Sequence, residues 1–291
     1  MKKRKFGDRK DGRRIRDLDG LHSIMLHLMP KRTESEVYLE HTVDVTNLLS
    51  YLAQKNSHNP DIKTTVFHCV LAGIGRVLRM RPYLNRFVCG RKLYIRDDIT
   101  LSFIAKRKFQ DHAEESLMVL KINDDTNLSS ITDKIVGDVG ELRKQKGSND
   151  FDAIINRVAH LPAPILYLFF GLVQRLSAIG RLPSIFTEGD TNHTTVLLSN
   201  LGSIQCDCCY HHLNNYGTNS ILITIGVIHK EPRVLDDGTI AIRDVMNLGF
   251  TADERIADGF YFARSLKLLE YLLTNPQLLD IPMREEITYA P

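Results

Sequence analysis

The spacing of apolar residues switches repeatedly between the helical period of about 3.6 and the strand period of about 2, which predicts helices and strands mixed along the chain. Helices are predicted over residues 18–29, from Asp44 or Thr46 onwards, and over 64–78, 127–146, 151–182 with a break at 161–164, and 256–273. Strands are predicted over 37–45, 86–89, 92–95, 99–105, 116–122, 194–198, 220–228 and 239–250. Without an internal repeat or a break in composition, this order favours one large α/β domain with a mainly β centre and helices packed on it.

Composition narrows the class of protein. Of the 291 residues, 43% are hydrophobic and 25% are charged, which is ordinary for a soluble globular protein and excludes a disordered or fibrous chain. The most apolar run, residues 163–173, is too short to span a bilayer, so we expect no membrane span and interpret this run as a buried or interface helix. Five cysteines without a signal sequence predict reduced thiols and a cytoplasmic protein.

Positive charge is concentrated at the start of the chain. The first 16 residues hold nine lysines and arginines against Asp8 and Asp11, whereas the remainder is mildly acidic. We therefore expect a basic N-terminal extension, residues 1–30, ahead of a domain formed by residues 31–291. The extension could contact nucleic acid or anionic lipid, or pack on its own body or a neighbouring subunit. No aromatic interleaving or recognition motif accompanies the charges, which disfavours nucleic acid.

A dense group of soft ligands occurs at Cys206–His212, where three thiols and two imidazoles fall within seven residues. Structural zinc sites pair two such clusters across a loop, and this sequence has no second Cys-x(2–4)-Cys pair. In an extended segment Cys206 and Cys208 would also face away from Cys209. We therefore expect no metal here, and interpret the segment as packing plus a polar cluster.

Two other stretches carry candidate chemistry. Leu198–Gly202 is the end of an apolar strand that runs into a polar turn, where the Ser199 hydroxyl could donate to a developing oxyanion. Asp253–Gly259 precedes a long apolar helix, and its acids suit a helix start. Phosphate-binding glycine loops and the Gly-x-Ser-x-Gly elbow are both absent from the sequence.

Together the two stretches resemble the catalytic domain of the dihydrolipoyl acyltransferases, the core subunits of 2-oxo acid dehydrogenase complexes. Leu198–Gly202 is similar to the family's strand motif Ile-Ser-Asn-Leu-Gly, and Asp253–Gly259 to its Asp-His-Arg-x-x-Asp-Gly. Val43–Leu48, Arg81–Asn85 and Ile221–Gly226 also resemble family motifs in the right order. The resemblance spans roughly residues 35–279, with a poor match over 106–191. It implies a chloramphenicol acetyltransferase-like two-layer sandwich with a mixed central sheet and helices packed on it.

The resemblance also implies how the site works. The family's active site forms between subunits of a trimer, so we expect a homotrimer. Its motif histidine removes a proton from a thiol of coenzyme A or dihydrolipoamide, and its strand hydroxyl, matched by Ser199, stabilises the oxyanion. Arg255, Asp258 and Gly259 keep the family's residues, but Glu254 stands at the histidine position. The expected catalytic residues are accordingly Glu254, Ser199, Asp258 and Arg255.

This departure leaves three interpretations open. A glutamate carboxylate is a weaker base towards a thiol than histidine is. The ordinary pKa values are about 4.3 for glutamate, about 6.5 for histidine and about 8.5 for a thiol. In the first interpretation Glu254 is nonetheless the base, in a site that suits it. In the second, His193, His211 or His212 replaces it. In the third, the chain is a catalytically inactive trimeric scaffold or regulatory binding protein.

No lipoyl domain precedes the motifs in this sequence. The expected activity is therefore that of a coenzyme A-dependent acyltransferase, which moves an acyl group between a thioester and an unknown acceptor. Coenzyme A or acyl-coenzyme A is expected as substrate, without a metal, and other subunits of a complex are candidate partners. The residues that would bind coenzyme A stay unassigned.

Overall fold

A computed structural model describes residues 4–58, 61–106, 115–144, 158–187, 189–235 and 237–289. The α-helices are α1 (Gly20–Leu28), α2 (Thr46–His58), α3 (Val66–Met80), α4 (Leu128–Lys144), α5 (Ala163–Ala178) and α6 (Gly259–Thr274). The strands are β1 (Gly12–Arg14), β2 (Glu36–Asp44), β3 (Arg86–Cys89), β4 (Lys92–Arg96), β5 (Ile99–Lys106), β6 (Glu115–Ile122), β7 (Val196–Asn200), β8 (Ile221–Ile225), β9 (His229–Val234) and β10 (Ile240–Asp253).

The centre of the fold is a seven-stranded mixed sheet in the order β2-β10-β8-β7-β5-β6, with β9 paired to β10. The neighbours β5, β7 and β8 run parallel, whereas β10 runs antiparallel to β8 and β2. Apolar side chains of β8 and β10, such as Ile223 and Phe250, meet Ile74 of α3 and Leu269 of α6 on one face. This is the predicted mixed sheet with helices packed on it.

The sequence marks the ends of the two core helices. Thr65 and His68 form a capping box at the start of α3, and Pro82 follows its end. Asp258 caps α6 by accepting a hydrogen bond from the Tyr261 amide at 2.7 Å, and α6 ends before Pro276. Both helices were predicted to within a few residues.

Two strands escaped prediction. Strand β1 has only three residues and lies in the basic extension, where it pairs with β4 in a small β1-β4-β3 sheet. Strand β9 contains Pro232, which lacks an amide proton, and is tolerated because β9 lies outside the main strand path with β10 as its neighbour. The first helix predicted within 151–182 falls mostly on residues 151–157, which lie outside the described residues, and α5 is the second.

The basic extension packs on its own domain. Arg9 is 4% exposed and lies over the rings of Phe87 and Tyr94, with its guanidinium carbon 5.4 and 5.7 Å from the ring centroids. It also donates to Asp11 and to the carbonyl of Ser177 at the end of α5. The alternative in which the arm packs on its own body is therefore supported, and the division at residue 30 stays a proposal.

Helix α5 is largely exposed, unlike the buried helix that its apolar sequence suggested. Val173 and Ser177 are its buried residues, while Tyr167, Leu168 and Leu172 are 82%, 69% and 56% exposed. Within one chain the buried half of that interpretation is therefore wrong for most of this helix, and the interface half stays a prediction. In the part of the chain that the structure describes, no helix combines the length and apolarity that crossing a bilayer requires.

Removing the Arg9 side chain should destabilise the domain, although it lies in the extension. We expect Arg9→Ala to lower the free energy of unfolding by about 2–3 kcal/mol, because a buried guanidinium leaves two stacked rings and Asp11 without their partner. Urea denaturation measures the change. The exposed neighbour Lys10 is the matched control, and Lys10→Ala should change stability by less than about 0.5 kcal/mol. Equal, small effects would show that the extension is not docked.

A second prediction concerns pH. Burial lowers the pKa of His68 to about 4 from its ordinary value of 6.5, and its Nδ1 accepts a hydrogen bond from the Thr65 amide. Between pH 6.5 and 4 the unfolded chain binds a proton that the folded chain does not, so stability should fall by about 2–3 kcal/mol as pH drops through this window. Comparison with His68→Gln, which keeps the capping acceptor, isolates the effect. An unchanged pH slope in that variant would contradict the assignment.

Candidate active site

Ser199 lies at the end of β7 on the sheet face that the helices leave uncovered. Its predecessor Leu198 is buried in the core, so the serine points to the opposite face and is half-buried. In register it lies beside Thr224 of β8, which in turn lies beside Gly249 of β10. Within the described residues the Ser199 hydroxyl makes no hydrogen bond, so it is free to donate to a ligand.

The chain after Ser199 folds tightly over this face. A Cβ on Gly202 would lie 2.6 Å from the Gly226 carbonyl oxygen, which explains why the turn needs glycine. The segment 206–213 then crosses the sheet: Cys209 exchanges hydrogen bonds with Thr224, and the Leu213 amide donates to the Glu36 carboxylate. The segment that was predicted as a polar cluster, residues 206–212, therefore packs across this face of the sheet.

The second motif places a buried ion pair at the far end of β10. Asp253 and Arg255 are 0% and 2% exposed. Arg255 donates from Nε to Asp253 Oδ1 at 2.8 Å and from a terminal nitrogen to Oδ2 at 2.6 Å, and donates again to the Met29 carbonyl. The Ser35 hydroxyl donates to the same aspartate. These contacts fasten the motif to the segment between α1 and β2.

Glu254 lies between the members of this pair and takes no part in it. Its amide donates to the Ser35 carbonyl at 2.9 Å, and its side chain is half-buried. Its carboxylate forms no hydrogen bond or ion pair with the described part of the chain. Asp258 is exposed and engaged as the cap of α6. The structure therefore fixes the backbone at Glu254 and leaves its carboxylate available.

Ser199 and Glu254 are far apart within one chain. Ser199 is level with Gly249 across two strand pairings. Glu254 follows Gly249 by five residues, just past the end of β10, which is roughly 17 Å at 3.4 Å per residue. The structure brings Glu254, Arg255 and Asp258 together, but it does not bring them to Ser199. Any site that uses both Ser199 and Glu254 needs two copies of the chain.

Of the alternative bases, His193 has the most defined surroundings. It is 8% exposed, its Nδ1 lies 2.8 Å from Asp190 Oδ2, and its ring meets Tyr216 edge-on. Burial alone would raise the pKa of Asp190, but hydrogen bonds from His193 and Asn192 outweigh it and lower the pKa. The buried Nε2 of His193 has no hydrogen-bond partner among the described residues. His193 lies ahead of β7, at the opposite end from Ser199.

His211 and His212 are exposed, and each Nδ1 lies within hydrogen-bonding distance of a backbone carbonyl. Their ring centroids are 4.9 Å apart. Burial and the nearby Asp207 raise the pKa of the Cys208 thiol to about 11, which opposes the thiolate form that binds metals. In the described ranges, no three His, Cys, Asp or Glu side chains are arranged to share a metal ion.

Sequence reasoning missed two buried arginines, Arg32 and Arg96, near the Asp253–Arg255 end of the sheet. Arg32 and Arg96 are 5% and 7% exposed and donate to backbone carbonyls. Arg32 lies in a run of charged and polar residues, 31–36, which suggests a solvated loop, so no local signal marks it.

Comparison with known proteins supports the family resemblance and the fold. Residues 179–281 match the family model of the 2-oxoacid dehydrogenases acyltransferase (catalytic domain), a range that contains both motifs. The lipoamide acyltransferase component of the branched-chain alpha-keto acid dehydrogenase complex of Bacillus subtilis is 25% identical over 256 residues, 84% of this chain and 49% of that protein. The chain thus spans about half the length of this curated relative.

Solved structures share the fold. A probable dihydrolipoamide acetyltransferase of Listeria monocytogenes has a TM-score of 0.59 and 17% identity, covering 90% of this chain and 94% of that one. A dihydrolipoamide acetyltransferase of Azotobacter vinelandii, studied for the role of a serine, a histidine and an asparagine in its mechanism, has a TM-score of 0.60 and 16% identity, with 92% and 94% covered. Chloramphenicol acetyltransferase has a TM-score of 0.54 and 13% identity, with 90% and 99% covered.

The protein therefore has the chloramphenicol acetyltransferase-like α/β fold that its motifs implied. Within that fold class, the family model and the curated relative confirm its resemblance to the catalytic domain of the 2-oxoacid dehydrogenase acyltransferases.

Neutralising Asp253 should lower the free energy of unfolding far more than neutralising Asp258. Asp253→Asn leaves Arg255 as an uncompensated buried charge, which should cost about 3–5 kcal/mol of stability. Asp258→Asn keeps a capping side chain and should cost less than about 0.5 kcal/mol. Denaturant titration of both variants tests this. A mild effect at Asp253 would mean that solvent reaches the ion pair.

Proposed function

We propose that this chain is a coenzyme A-dependent acyltransferase in which Glu254 is the general base and Ser199 stabilises the oxyanion. The observation that carries the proposal is the Glu254 carboxylate, which lies between the members of the buried Asp253–Arg255 pair and has no partner in the described chain. The sequence resemblance matches this position to the family's base. The free hydroxyl of Ser199 supplies the matching donor.

In the proposed reaction Glu254 takes the proton of the acceptor nucleophile as it attacks the thioester carbonyl of acyl-coenzyme A. The carbonyl oxygen becomes an oxyanion and accepts a hydrogen bond from Ser199. When the intermediate collapses, the carbon–sulfur bond breaks, and protonated Glu254 returns its proton to the departing coenzyme A thiolate. The acyl group ends on the acceptor, and Glu254 is again a carboxylate.

Arg255 and Asp258 are positioning residues in this scheme. Arg255 locks Asp253 and ties the motif to Met29, while Asp258 starts α6 directly after the motif. Neither needs to touch substrate. Together they restrict the backbone on both sides of Glu254, which orients a base more sharply than a free loop would.

The separation of Ser199 and Glu254 supports a site built between two copies of the chain. The family resemblance implies a trimer, in which each of three sites takes Ser199 from one copy and Glu254 from the next. One solved relative forms the cubic core of the pyruvate dehydrogenase multienzyme complex. Other subunits of such a complex are accordingly candidate partners.

A second candidate function is an inactive trimeric scaffold or regulatory binding protein of the same fold. The observation that favours it is the glutamate itself, because a carboxylate accepts a thiol proton less readily than histidine does. A base other than Glu254 is the remaining alternative. His193 is the alternative with the clearest geometry, since its Asp190 contact orients the ring.

Binding and turnover separate these candidates. Calorimetry should show binding of coenzyme A and acetyl-coenzyme A, and chromatography should detect S-acetyl dihydrolipoamide when dihydrolipoamide is the probe acceptor. We expect Glu254→Gln and Ser199→Ala each to lower kcat at least ~100-fold, a scale typical of a lost base or oxyanion donor. Glu231→Gln, at a half-exposed carboxylate on β9 that pairs with Arg233, is the matched control.

Failure of coenzyme A to bind would favour the scaffold. Full turnover by Glu254→Gln would remove Glu254 as base and move the search to His193, His211 and His212. Light scattering that shows a stable, active monomer would overturn the shared site.

Mixing the two inactive variants tests the shared site directly. When Glu254→Gln and Ser199→Ala chains are co-expressed at equal levels, about a quarter of the sites combine an intact Ser199 from one chain with an intact Glu254 from the next. Activity should therefore recover to about a quarter of the wild-type value. Either variant expressed alone should show only the residual activity of its single substitution. A co-expressed mixture that stays as inactive as the single variants would contradict a site shared between neighbouring chains.

A further inference from the structure

A cavity of about 360 Å³ lies beside the buried Asp253–Arg255 pair, between residues 30–32 and the end of α5. Its cationic lining residues are Lys31, Arg32, Arg91 and Arg255, joined by the amides of Gln174 and Asn215. None of the described residues that line it is acidic. The cavity shares Arg255 with the proposed reaction, where that residue positions the motif, but neither Ser199 nor Glu254 lines it.

Arg32 is the most informative of these residues. It is 5% exposed, and its two terminal nitrogens donate to the carbonyls of Val88, Gly217, Asn214 and Asn215. These contacts satisfy the terminal donors of Arg32 but pair its positive charge with no carboxylate. The nearby Asp253 already accepts hydrogen bonds from Nε and from a terminal nitrogen of Arg255. Its Nε has no partner in the described chain. Burial outweighs Asp253 and lowers the pKa of Arg32.

The surroundings add further positive charge. Arg96 is 7% exposed and likewise binds carbonyls, while Arg9 uses Asp11. Four buried arginines at this end of the sheet, Arg9, Arg32, Arg96 and Arg255, thus face two carboxylates, Asp11 and Asp253. Buried charges in proteins are normally paired, so this surplus calls for an anion.

Arg91 shows that one wall of the cavity is held under strain. It occupies the second position of the two-residue turn between β3 and β4 with φ 57°, following Gly90 with φ 58°. This left-handed conformation costs a residue with a side chain roughly 1 kcal/mol or more, and turns of this kind favour glycine there. The strained arginine nonetheless lines the cavity, which indicates a use for its charge.

We propose that this cavity binds the phosphate group of a small phosphorylated organic molecule, with Arg91 as its principal hydrogen-bonding cation and Arg32 supplying buried positive charge from the wall. A free guanidinium such as that of Arg91 matches two phosphate oxygens at once, and amides such as those of Asn215 and Gln174 complete the donor set. The volume lies in the range of small-molecule sites and exceeds what a bare phosphate fills, so the ligand carries an organic group. The inference rests on the cavity residues and holds whether or not Glu254 is a base.

Calorimetry with four probes tests the site: inorganic phosphate, adenosine 3′,5′-bisphosphate, coenzyme A, and adenosine as the phosphate-free control. We expect both organic phosphates to bind more tightly than inorganic phosphate, and adenosine not to bind at the same site. Coenzyme A binding tighter than the bisphosphate would identify the acyl carrier as the source of the phosphate. The opposite order would point to a separate phosphorylated ligand. Failure of every phosphate probe to bind overturns the proposal.

Two variants separate binding from folding. Arg91→Gly removes the charge and relieves the positive φ, so it should weaken adenosine bisphosphate binding by ~3–10-fold without lowering the melting temperature. Arg32→Gln should weaken binding at least ~10-fold. Arg233→Ala, at a half-exposed arginine on β9 that is absent from the cavity lining, should leave affinity unchanged. Unaltered affinity in Arg91→Gly and in any folded Arg32→Gln would exclude the cavity, and acyl transfer that persists in these variants would show that the two sites are independent.

Discussion

The antiparallel pairing of β10 with β8 is the constraint on which the site depends. Because β7 and β8 run parallel, the end of β7 that carries Ser199 meets the middle of β10, and the end of β10 that carries Glu254 meets the start of β8. No side-chain rotation brings groups on these two ends together. Under the proposed mechanism, one copy of the chain therefore presents the oxyanion donor and the base at different places on the sheet, and only a second copy could bring the two together. Strand direction is thus the physical reason why the proposed site is shared between copies.

Buried charge organises the end of the sheet that carries Glu254. The Asp253–Arg255 pair would be expensive to bury alone, and it is accommodated because Ser35 donates to the aspartate and the Met29 carbonyl accepts from the arginine. The same contacts fasten the segment between α1 and β2 to the motif, and Arg32 in that segment reaches the loop at 214–217. One network therefore fixes the backbone at Glu254 and shapes the neighbouring cavity. The half-buried glutamate can remain unpaired because its surroundings are already rigid.

The regular elements and the two motifs could be predicted from the sequence, whereas their assembly could not. Helices α3 and α6 carry caps, stops and a clear apolar period, so local signals define them. Strand β1 is too short for a period, and it forms because β4 offers an edge and Arg9 is buried against the stacked rings of Phe87 and Tyr94. The motifs singled out Ser199 and Glu254, but their separation follows from strand order, which no local pattern encodes. Arg32 was missed since its burial arises from contacts with segments far along the chain.

The proposed change of base alters the charge that this end of the sheet would carry during turnover. A histidine that accepts a proton becomes positive, and position 254 directly precedes the buried Arg255, at the end of the sheet where Arg32 and Arg96 already lack carboxylate partners. A glutamate that accepts a proton goes from negative to neutral, so the proposed base would add no positive charge there. Asp253 is already committed to Arg255, so no second carboxylate of the motif could balance a histidinium. Charge therefore gives the proposal a physical reason for a carboxylate at this position.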